Sequence, residues 1–279
     1  MRDLRVSEIL VKSALNRSGL PEYDYVLNPY SGCFHGCIYC FAPDFTRESE
    51  ARERWGSTVF VKANLLEVLK REISSKMRGL VGISSVTDPY HFIEGKYRLV
   101  REGLKLLLAN GFRISIQTKS PLVLRDMDLL ARYRKSLDVG FTITTLDRNL
   151  AEILEPYAPE PSSRAAAVWK LSEAGIKTWI FLGPIIGGIN DSHAGILPVL
   201  ELAAETSSRV IYDWYTPYRG STRMMASSSG VKDGGRLVPS AALKAELRGW
   251  LFEKAAELGV EINSQEDEWL RKPETGKLF

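Results

Sequence analysis

The feature that most restricts the fold of this chain is the regular alternation of strand-like and helix-like segments between residue 59 and about residue 216. Strands are predicted at residues 23–30, 79–85, 112–118, 137–143, 176–182 and 209–215. Helices are predicted at residues 65–76, 97–111, 163–175 and 240–259. Strands that alternate with helices form βα units around a parallel sheet. We therefore predict an α/β fold of about six units, with a parallel sheet that is open or closed into a barrel.

The remaining segments indicate one domain rather than two. Residues 1–22 form an N-terminal extension, residues 23–216 the core, and residues 217–279 a C-terminal loop and helix that pack on that core. No apolar run approaches the roughly 18 residues that cross a bilayer, and the first residues lack the apolar stretch of a secretory signal. We therefore expect a cytoplasmic protein without a membrane partner. The net charge of +3 permits a phosphate-bearing partner without predicting one.

Polar side chains lie near the C-terminal ends of several predicted strands. Side chains alternate across a strand, which places each of three sets on one face. The sets are Ser85 with Thr87, Ser115 with Gln117 and Lys119, and Thr142 with Thr144. Each residue alone could be solvated or could cap a helix. Ligands of α/β folds bind at the carboxyl ends of the strands, so together these residues predict a site there.

The chain has three cysteines, and all lie within eight positions in the segment SGCFHGCIYC, with the spacing C-x3-C-x2-C. Structural zinc sites use four ligands, and His35 could supply the fourth, although it lies between two of the others. Three thiolates also suit three irons of a [4Fe–4S] cluster, which four cysteines normally hold. The fourth iron would then be open to another ligand. A cluster with an open iron is favoured over zinc and over unmetallated thiols.

This cysteine loop, with Tyr39 before the last cysteine, resembles the signature of the radical S-adenosylmethionine (radical SAM) superfamily. The resemblance implies a partial (β/α)6 TIM-like barrel and an oxygen-sensitive [4Fe–4S] cluster on Cys33, Cys37 and Cys40. It implies that S-adenosylmethionine binds the open iron and is cleaved to methionine and a 5′-deoxyadenosyl radical, which abstracts hydrogen from a substrate. An external electron donor, of the flavodoxin or ferredoxin kind, is also implied.

Further segments between residues 25 and 195 resemble spore photoproduct lyase-like enzymes of that superfamily, among them TKSPLVLRDMDLL and GPIIGGIND. The resemblance implies that Lys119 pairs with the methionyl carboxylate and that the backbone of Tyr39 meets the adenine. The other S-adenosylmethionine contacts that it implies are Thr87, Asp88, Thr142 or Thr144, Gly183, Ile185 and Gly187. Glu155 and Arg164 match a pattern whose role in the family is structural.

Two departures from the lyase sequence narrow the range of reactions that this chain could catalyse. Ser85 stands where the lyase has the cysteine that returns a hydrogen atom to its product, and an O–H bond is too strong for that role. The chain also lacks cysteines for a second cluster. The substrate is therefore open, with a nucleic acid suggested by analogy alone. The alternative function is that of a non-catalytic iron–sulfur electron carrier or a zinc-binding structural protein.

Four further features have both a functional and an ordinary interpretation. Glu94 could touch S-adenosylmethionine or cap a helix, and His91 could belong to the site or lie at the surface. Asp213 and Tyr215 would point into the barrel if Tyr212 and Trp214 point outward. The loop at residues 218–235 could be a lid over the substrate or an ordinary surface loop.

Overall fold

The computed structural model describes residues 3–228, 231 and 237–270, and contains eleven strands in these ranges. The strands are β1 Arg5–Ile9, β2 Leu15–Arg17, β3 Tyr25–Leu27, β4 Tyr30–Ser31, β5 Thr58–Lys62, β6 Leu80–Ile83, β7 Arg113–Thr118, β8 Leu137–Thr142, β9 Lys177–Ile185, β10 Arg209–Trp214 and β11 Ile262–Ser264. Eight of them form one sheet in the order β11-β10-β9-β8-β7-β6-β3-β2. Every neighbouring pair in it is parallel except β2 and β3. The α/β fold with its parallel sheet is thus confirmed.

Helices connect the strands, as the alternation predicts. They are α1 Ala42–Phe45, α2 Ser49–Glu53, α3 Leu65–Glu72, α4 Glu94–Tyr97, α5 Leu99–Ala109, α6 Met127–Arg132, α7 Arg148–Leu154, α8 Pro161–Glu173, α9 His193–Glu205, α10 Arg219–Ala226, α11 Ala241–Leu258 and α12 Gln265–Leu270, with 3-10 turns at Ile73–Ser75 and Pro121–Asp126. No helix among the described residues is long and apolar enough to cross a membrane.

The two faces of the sheet differ because side chains alternate along each strand. On β7, Ile114 and Ile116 belong to the large apolar core, together with Leu104 of α5. Ser115 and Gln117, which alternate with them, line a polar cavity of about 170 Å³. The inner face of the barrel is therefore polar, and the outer face packs against the helices.

Five short strands, two of them in the main sheet, do not follow from the sequence pattern. β2 pairs with β3, and β11 extends the parallel sheet beyond β10. β5 pairs in parallel with β1 and antiparallel with β4, which makes a second sheet of three strands. The N-terminal extension and the C-terminal segment thus both add to sheets.

The alternation predicted at the end of β6 is wrong. β6 ends at Ile83, and Ser84 adopts a left-handed backbone with φ of 65°. This turn takes Ser85 and Thr87 off the strand, so they do not share a strand face with Ile83. Ser85 instead donates its backbone N–H to Asn28 Oδ1 at 2.9 Å.

A side-chain contact joins the two ends of the main sheet. Gln265 Nε2 of α12 donates to Glu22 Oε1 at 3.2 Å, which bridges the gap between the segments that flank β11 and β3. These two residues also line the cavity, along with Asp138, Trp179 and Arg209. The segment predicted as a loop at residues 218–235 instead contains α10. Residues 1–2, 229–230, 232–236 and 271–279, which include six residues of that segment and the end of the C-terminal segment, lie outside the described residues.

Candidate functional site

The three cysteines lie in the loop between β4 and α1, and two glycines determine its path. Gly32 has φ of 84° and Gly36 has φ of 61°, a region that favours glycine. A Cβ atom on Gly32 would lie 2.4 Å from the carbonyl oxygen of Thr58, and one on Gly36 would lie 2.9 Å from the ring of Tyr157. Both glycines are therefore required by the backbone direction and by the space around the loop.

The thiols lie inward. Cys33 and Cys37 are buried and Cys40 is half-buried. Burial raises the pKa of each of the three thiols to about 12, because a thiolate loses its hydration there. Bound iron or zinc would reverse this effect, since a coordinating thiol is deprotonated by the cation.

The side chains of the described residues contain no group of three or more His, Cys, Asp or Glu that could hold a single metal ion. A zinc site would require such convergence. Thiolates that each bind a different iron of one cluster do not have to meet at one point. Three thiolates in one loop are a donor set that fits an iron–sulfur cluster.

The cysteine loop is fixed by backbone contacts to two neighbouring segments. The N–H of Ile38 donates to the carbonyl of Leu154 at 2.9 Å, and the N–H of Tyr157 donates to the carbonyl of His35 at 3.2 Å. On the other side, the Thr87 hydroxyl donates to the carbonyl of Gly32 at 2.6 Å. The C-terminal end of α7 and the segment after β6 thus hold the loop between them.

Glu155 is the centre of a buried polar network beside this loop. Its carboxylate forms an ion pair with Arg164 and accepts hydrogen bonds from the hydroxyls of Tyr39 and Thr144. Although burial opposes its ionised form, Arg164 and Lys119 lower the pKa of Glu155 to about 2. Arg164 is almost completely buried and also donates to the carbonyl of Thr142 at 3.2 Å.

Lys119 extends into the same region. Its Nζ lies 3.9 Å from Glu155 Oε1 and 5.5 Å from the centre of the Tyr39 ring. Burial opposes the charge of Lys119, but Cys37 and Glu155 favour it, and its pKa is raised overall. The structure thus places a charged ammonium beside the cysteine loop, at the C-terminal end of β7.

Asp88 holds the backbone of this lysine in place. Its carboxylate accepts from the Thr118 hydroxyl and from the backbone N–H of Lys119, both at 2.7 Å, and from the N–H of Tyr90 at 2.8 Å. His35 Nδ1 lies 3.4 Å from the same carboxylate. Burial opposes ionisation of Asp88, but these neighbours hold its pKa below the usual value. The carboxylate is therefore engaged within the protein, and no pattern in the sequence indicates its contact with His35.

The glycine-rich turn at residues 183–188 closes the site on the opposite side. The Thr144 hydroxyl lies 3.0 Å from the carbonyl oxygen of Gly183, and the N–H of Gly187 donates to the carbonyl of Leu237 at 2.9 Å. Ile185 is buried and its carbonyl accepts from the N–H of Tyr215 at 2.8 Å. The turn is thereby attached to β8 and to the segment that follows β10.

Asn190 organises this turn. Its amide donates to the carbonyls of Thr144 at 2.9 Å and Pro184 at 3.0 Å, and its oxygen accepts from the N–H of Ile186 at 2.7 Å. Ser192 is the residue that caps α9. A helix-cap motif does not indicate that its first residue faces inward.

Other predicted residues lie apart from the network. Thr142 accepts from Gln117 Nε2 at 3.0 Å on the inner face of the sheet. Glu94 is buried and accepts from the backbone N–H groups of Val100 and Arg101, so it caps α5 as its ordinary interpretation predicts.

The ordinary interpretation of His91, a surface position, is wrong. His91 is fully buried, and its ring contacts those of Tyr30 and Phe34 with centroid distances of 4.6 Å and 5.6 Å. Aromatic neighbours on other segments enclose it, which its local sequence could not show.

Asp213 and Tyr215 differ in their surroundings. Tyr215 is buried in one apolar cluster with Cys37, Tyr39 and Met225. Asp213 is half-buried, and burial raises its pKa to about 6. A carboxylate in this condition at the C-terminal end of a strand is a candidate for contact with a substrate.

Comparison with known proteins gives a consistent result. The family model of the radical SAM superfamily matches residues 27–197. An uncharacterised protein of Methanocaldococcus jannaschii is 38% identical over 188 residues, which are 67% of this chain and 70% of that protein. An uncharacterised protein of Mycobacterium tuberculosis is 31% identical over 230 residues, 77% of this chain and 66% of that protein.

Two solved structures show the same fold. A variant of spore photoproduct lyase with bound AdoMet and dinucleoside spore photoproduct has a TM-score of 0.69, with 15% identity over 94% of this chain and 81% of the other. A radical SAM methyltransferase from Sphaerobacter thermophilus has a TM-score of 0.58, with 15% identity over 86% of this chain and 65% of the other. At these identities the likeness concerns the fold alone.

Proposed function

Because this chain belongs to the radical SAM superfamily, we propose that it is an enzyme that cleaves S-adenosylmethionine reductively and abstracts hydrogen from a further substrate. The observation that carries the proposal is the position of three inward thiols in one loop, beside the buried ammonium of Lys119. An electron carrier or a zinc protein has no need of that ammonium at the end of a strand.

Cys33, Cys37 and Cys40 would hold a [4Fe–4S] cluster, which supplies an open iron and the electron that cleaves S-adenosylmethionine. Only three thiols are offered, and two carboxylates near them, Asp88 and Glu155, are engaged in ion pairs and hydrogen bonds with the protein. The described side chains would thereby leave one coordination position for another ligand, as a catalytic metal site requires.

The side chains around the loop would bind and orient S-adenosylmethionine. Lys119 would pair with the methionyl carboxylate, since its charge is favoured by Glu155 while Glu155 itself is already paired with Arg164. Asp88 would act indirectly, because it fixes the backbone of Lys119. The cofactor role of Thr87 would likewise come through the cysteine loop, to which its hydroxyl is bonded.

The adenine would be bound by backbone rather than by side chains. The hydroxyls of Tyr39 and Thr144 contact Glu155. The backbone groups of these two residues would then remain available to the adenine. Gly183, Ile185 and Gly187 offer a turn whose other groups are anchored by Asn190. Thr142 lies deeper on the inner face of the sheet, on the way to the polar cavity.

The reaction of spore photoproduct lyase itself is not proposed. Ser85 lies after β6 with its hydroxyl 3.3 Å from Asn28 Nδ2, and all three cysteines of the chain are in the cluster loop. The chain thus has no thiol left to return a hydrogen atom to a product. A nucleic acid is a substrate class to test, because the lyase structure with the same fold holds a dinucleoside.

The test is anaerobic reconstitution with iron and sulfide, followed by dithionite and S-adenosylmethionine. The wild-type chain is expected to bind about four irons and to form 5′-deoxyadenosine, whereas Cys37→Ala should form none. Ser115→Ala, a substitution of similar size on the inner face of the sheet, serves as the control and should keep both properties. Protein that binds one zinc and no iron, or that holds a cluster and never cleaves S-adenosylmethionine, would contradict the proposal.

A further inference from the structure

Three aromatic side chains, two of them exposed and one half-buried, are in mutual contact next to the cysteine loop. Phe41 and Phe45 are 41% and 57% exposed, and Tyr218 is half-buried. The ring centroids of the two phenylalanines are 5.8 Å apart, and that of Tyr218 lies 6.0 Å from Phe41 and 5.7 Å from Phe45. Single exposed phenylalanines are ordinary, but a contiguous group at one place marks a contact surface.

Arginines flank this aromatic group. Arg47, Arg219 and Arg223 are exposed, and none of them forms an ion pair within the described part of the chain. The nearby carboxylate of Asp44 accepts from the neutral backbone N–H of Gly220 at 2.9 Å and keeps its charge, so three arginines against one carboxylate leave this surface net positive. We call the six residues the aromatic–arginine surface: Phe41, Phe45, Arg47, Tyr218, Arg219 and Arg223.

The aromatic–arginine surface is separated from the thiols by a single layer of the protein. Phe41 follows Cys40 directly, and Cys40 is the least buried of the three cysteines. On the other helix, Met225 of α10 faces inward and packs in one cluster with Cys37. α10 therefore has one side on the cysteine loop and the other on the solvent.

We propose that the aromatic–arginine surface is the docking site of an acidic one-electron carrier protein. The inference rests on the proposed function, which requires one electron for each S-adenosylmethionine that is cleaved. The carrier is oxidised by one electron, and the group held by the three thiols is reduced by one, with no atom transferred. Unpaired arginines steer an acidic partner and raise its association rate, while a small aromatic centre suits the small interface of a transient redox pair.

A single-stranded nucleic acid is the competing occupant, because it too combines negative charge with stacking on aromatic rings. The geometry disfavours it. The rings meet at interplanar angles of 75°, 46° and 69°, so each covers part of another's face. Stacked bases require open ring faces in sequence, whereas a protein partner packs against ring edges as readily as against faces.

The experiment compares two reductants on the cluster-loaded full chain. Formation of 5′-deoxyadenosine is measured with dithionite and with a reduced acidic flavodoxin, and flavodoxin binding is measured separately by titration. In the variant with Arg47, Arg219 and Arg223 changed to Glu, the flavodoxin-driven rate and affinity should fall by about tenfold or more. The dithionite-driven rate should stay within about twofold of wild type, since a small reductant needs no docking site.

A matched control changes Arg132, Arg134 and Lys135 to Glu, which applies the same charge change to exposed residues before β8, at the opposite end of the strands. This control should keep flavodoxin binding. Phe45→Ala should weaken binding without altering its salt dependence.

The docking site would be overturned if wild type did not bind flavodoxin, or if both triple variants lost flavodoxin binding equally. It would also be overturned if the arginine variant lost binding of oligothymidylate, a single-stranded nucleic acid, and kept its binding of flavodoxin. Failure of wild type to form 5′-deoxyadenosine with dithionite would refute the proposed function instead. The binding titration tests the surface in either case.

Discussion

At the scale of single residues, the ion pair of Glu155 and Arg164 lies at the centre of the candidate site. Both side chains are about 1% exposed, and the carboxylate is shared with Tyr39, Thr144 and the more distant Lys119. Because buried charges are costly without partners, removal of one member leaves the other in an unfavourable position.

Arg164→Met is therefore expected to lower the free energy of unfolding by about 3–5 kcal/mol, measured by urea denaturation of the apoprotein. The value should lie near the lower end, because Lys119 remains 3.9 Å from Glu155. Arg148→Met is the control, since its pairs with Glu152 and Glu160 are exposed to solvent and contribute little to stability. Equal losses of unfolding free energy in the two variants would show that the buried pair stabilises the fold no more than the exposed pairs do.

Lys119→Met tests cofactor binding apart from cluster assembly. Loss of one charge-assisted interaction should raise the dissociation constant for S-adenosylmethionine by about tenfold to a hundredfold. The iron content and visible absorbance should not change. Lys105→Met, at an exposed lysine paired with Glu102, is the control and should leave the constant unaltered. If Lys119→Met loses the cluster instead, the lysine supports the loop rather than the cofactor.

The pKa of Asp213 predicts how the stability of the fold changes with pH. Its folded-state pKa, raised to about 6 by burial, lies above the unfolded value of about 3.9. Below pH 4 the carboxyl is neutral in both states, and stability is lost as pH rises through 6. Besides the N–H of Trp214, Lys244 and Glu266 are the charged groups that act on it.

Asp213→Asn should therefore be more stable than wild type above pH 6, by about 2 kcal/mol, with no gain at pH 4. Thermal denaturation across this pH range measures it, with Glu67→Gln at an exposed position of α3 as the comparison. A gain that is the same at pH 4 and pH 8 would show that ionisation is not its cause.

How far the sequence predicts a residue's role depends on where its partners lie. Lys119 could be placed at the site because its strand pattern and the family resemblance both apply within one segment. The partners of Glu155 come from the cysteine loop, β8 and α8, so no local pattern joins them. The positions of His91 and Asn190 escape prediction for the same reason, since contacts between distant segments enclose the first and direct the second.

At the scale of elements, the cysteine loop depends on its glycines. Gly32→Ala would place a Cβ 2.4 Å from a backbone oxygen at φ of 84°. We expect iron incorporation to fall severalfold, with the rest of the fold retained in far-UV circular dichroism. Gly95→Ala in α4 is the matched control, because a Cβ atom on Gly95 would have no heavy atom within 4 Å. Normal iron content in Gly32→Ala would show that the loop can shift.

Most of the long elements could be predicted and the short ones could not. Six strands of the main sheet and the helices α3, α5, α8 and α11 follow from hydrophobic periodicity, which needs several residues to show, whereas α9, with 13 residues, is not among the predicted helices. β2, β4 and β11 have only two or three residues, and their pairing depends on backbone hydrogen bonds that any sequence can form. The strand predicted at residues 79–85 is longer than β6, because nothing in the sequence marks Ser84 as a residue with a left-handed backbone.

At the scale of the whole molecule, stability should be highest at the centre of the main sheet. β7, β8 and β9 are paired on both sides and are mostly buried, whereas β1 is almost entirely exposed and pairs on one side. Amide hydrogen exchange followed by mass spectrometry should be slowest in peptides from residues 113–118, 137–142 and 177–185, and fastest in residues 5–9. Equal protection of β1 would mean that the two sheets unfold together.

The contact between Gln265 and Glu22, which joins the two ends of the sheet, has a consequence for biosynthesis. These residues are 243 positions apart, so the barrel cannot be completed until nearly all of the described chain has left the ribosome. At about 5–20 residues per second, that interval is on the order of 10–50 s. The segments that cover the three cysteines extend to Met225 of α10, so for most of this interval the thiols are translated but not yet enclosed, which leaves them accessible to oxidants and to stray metal ions in the cell.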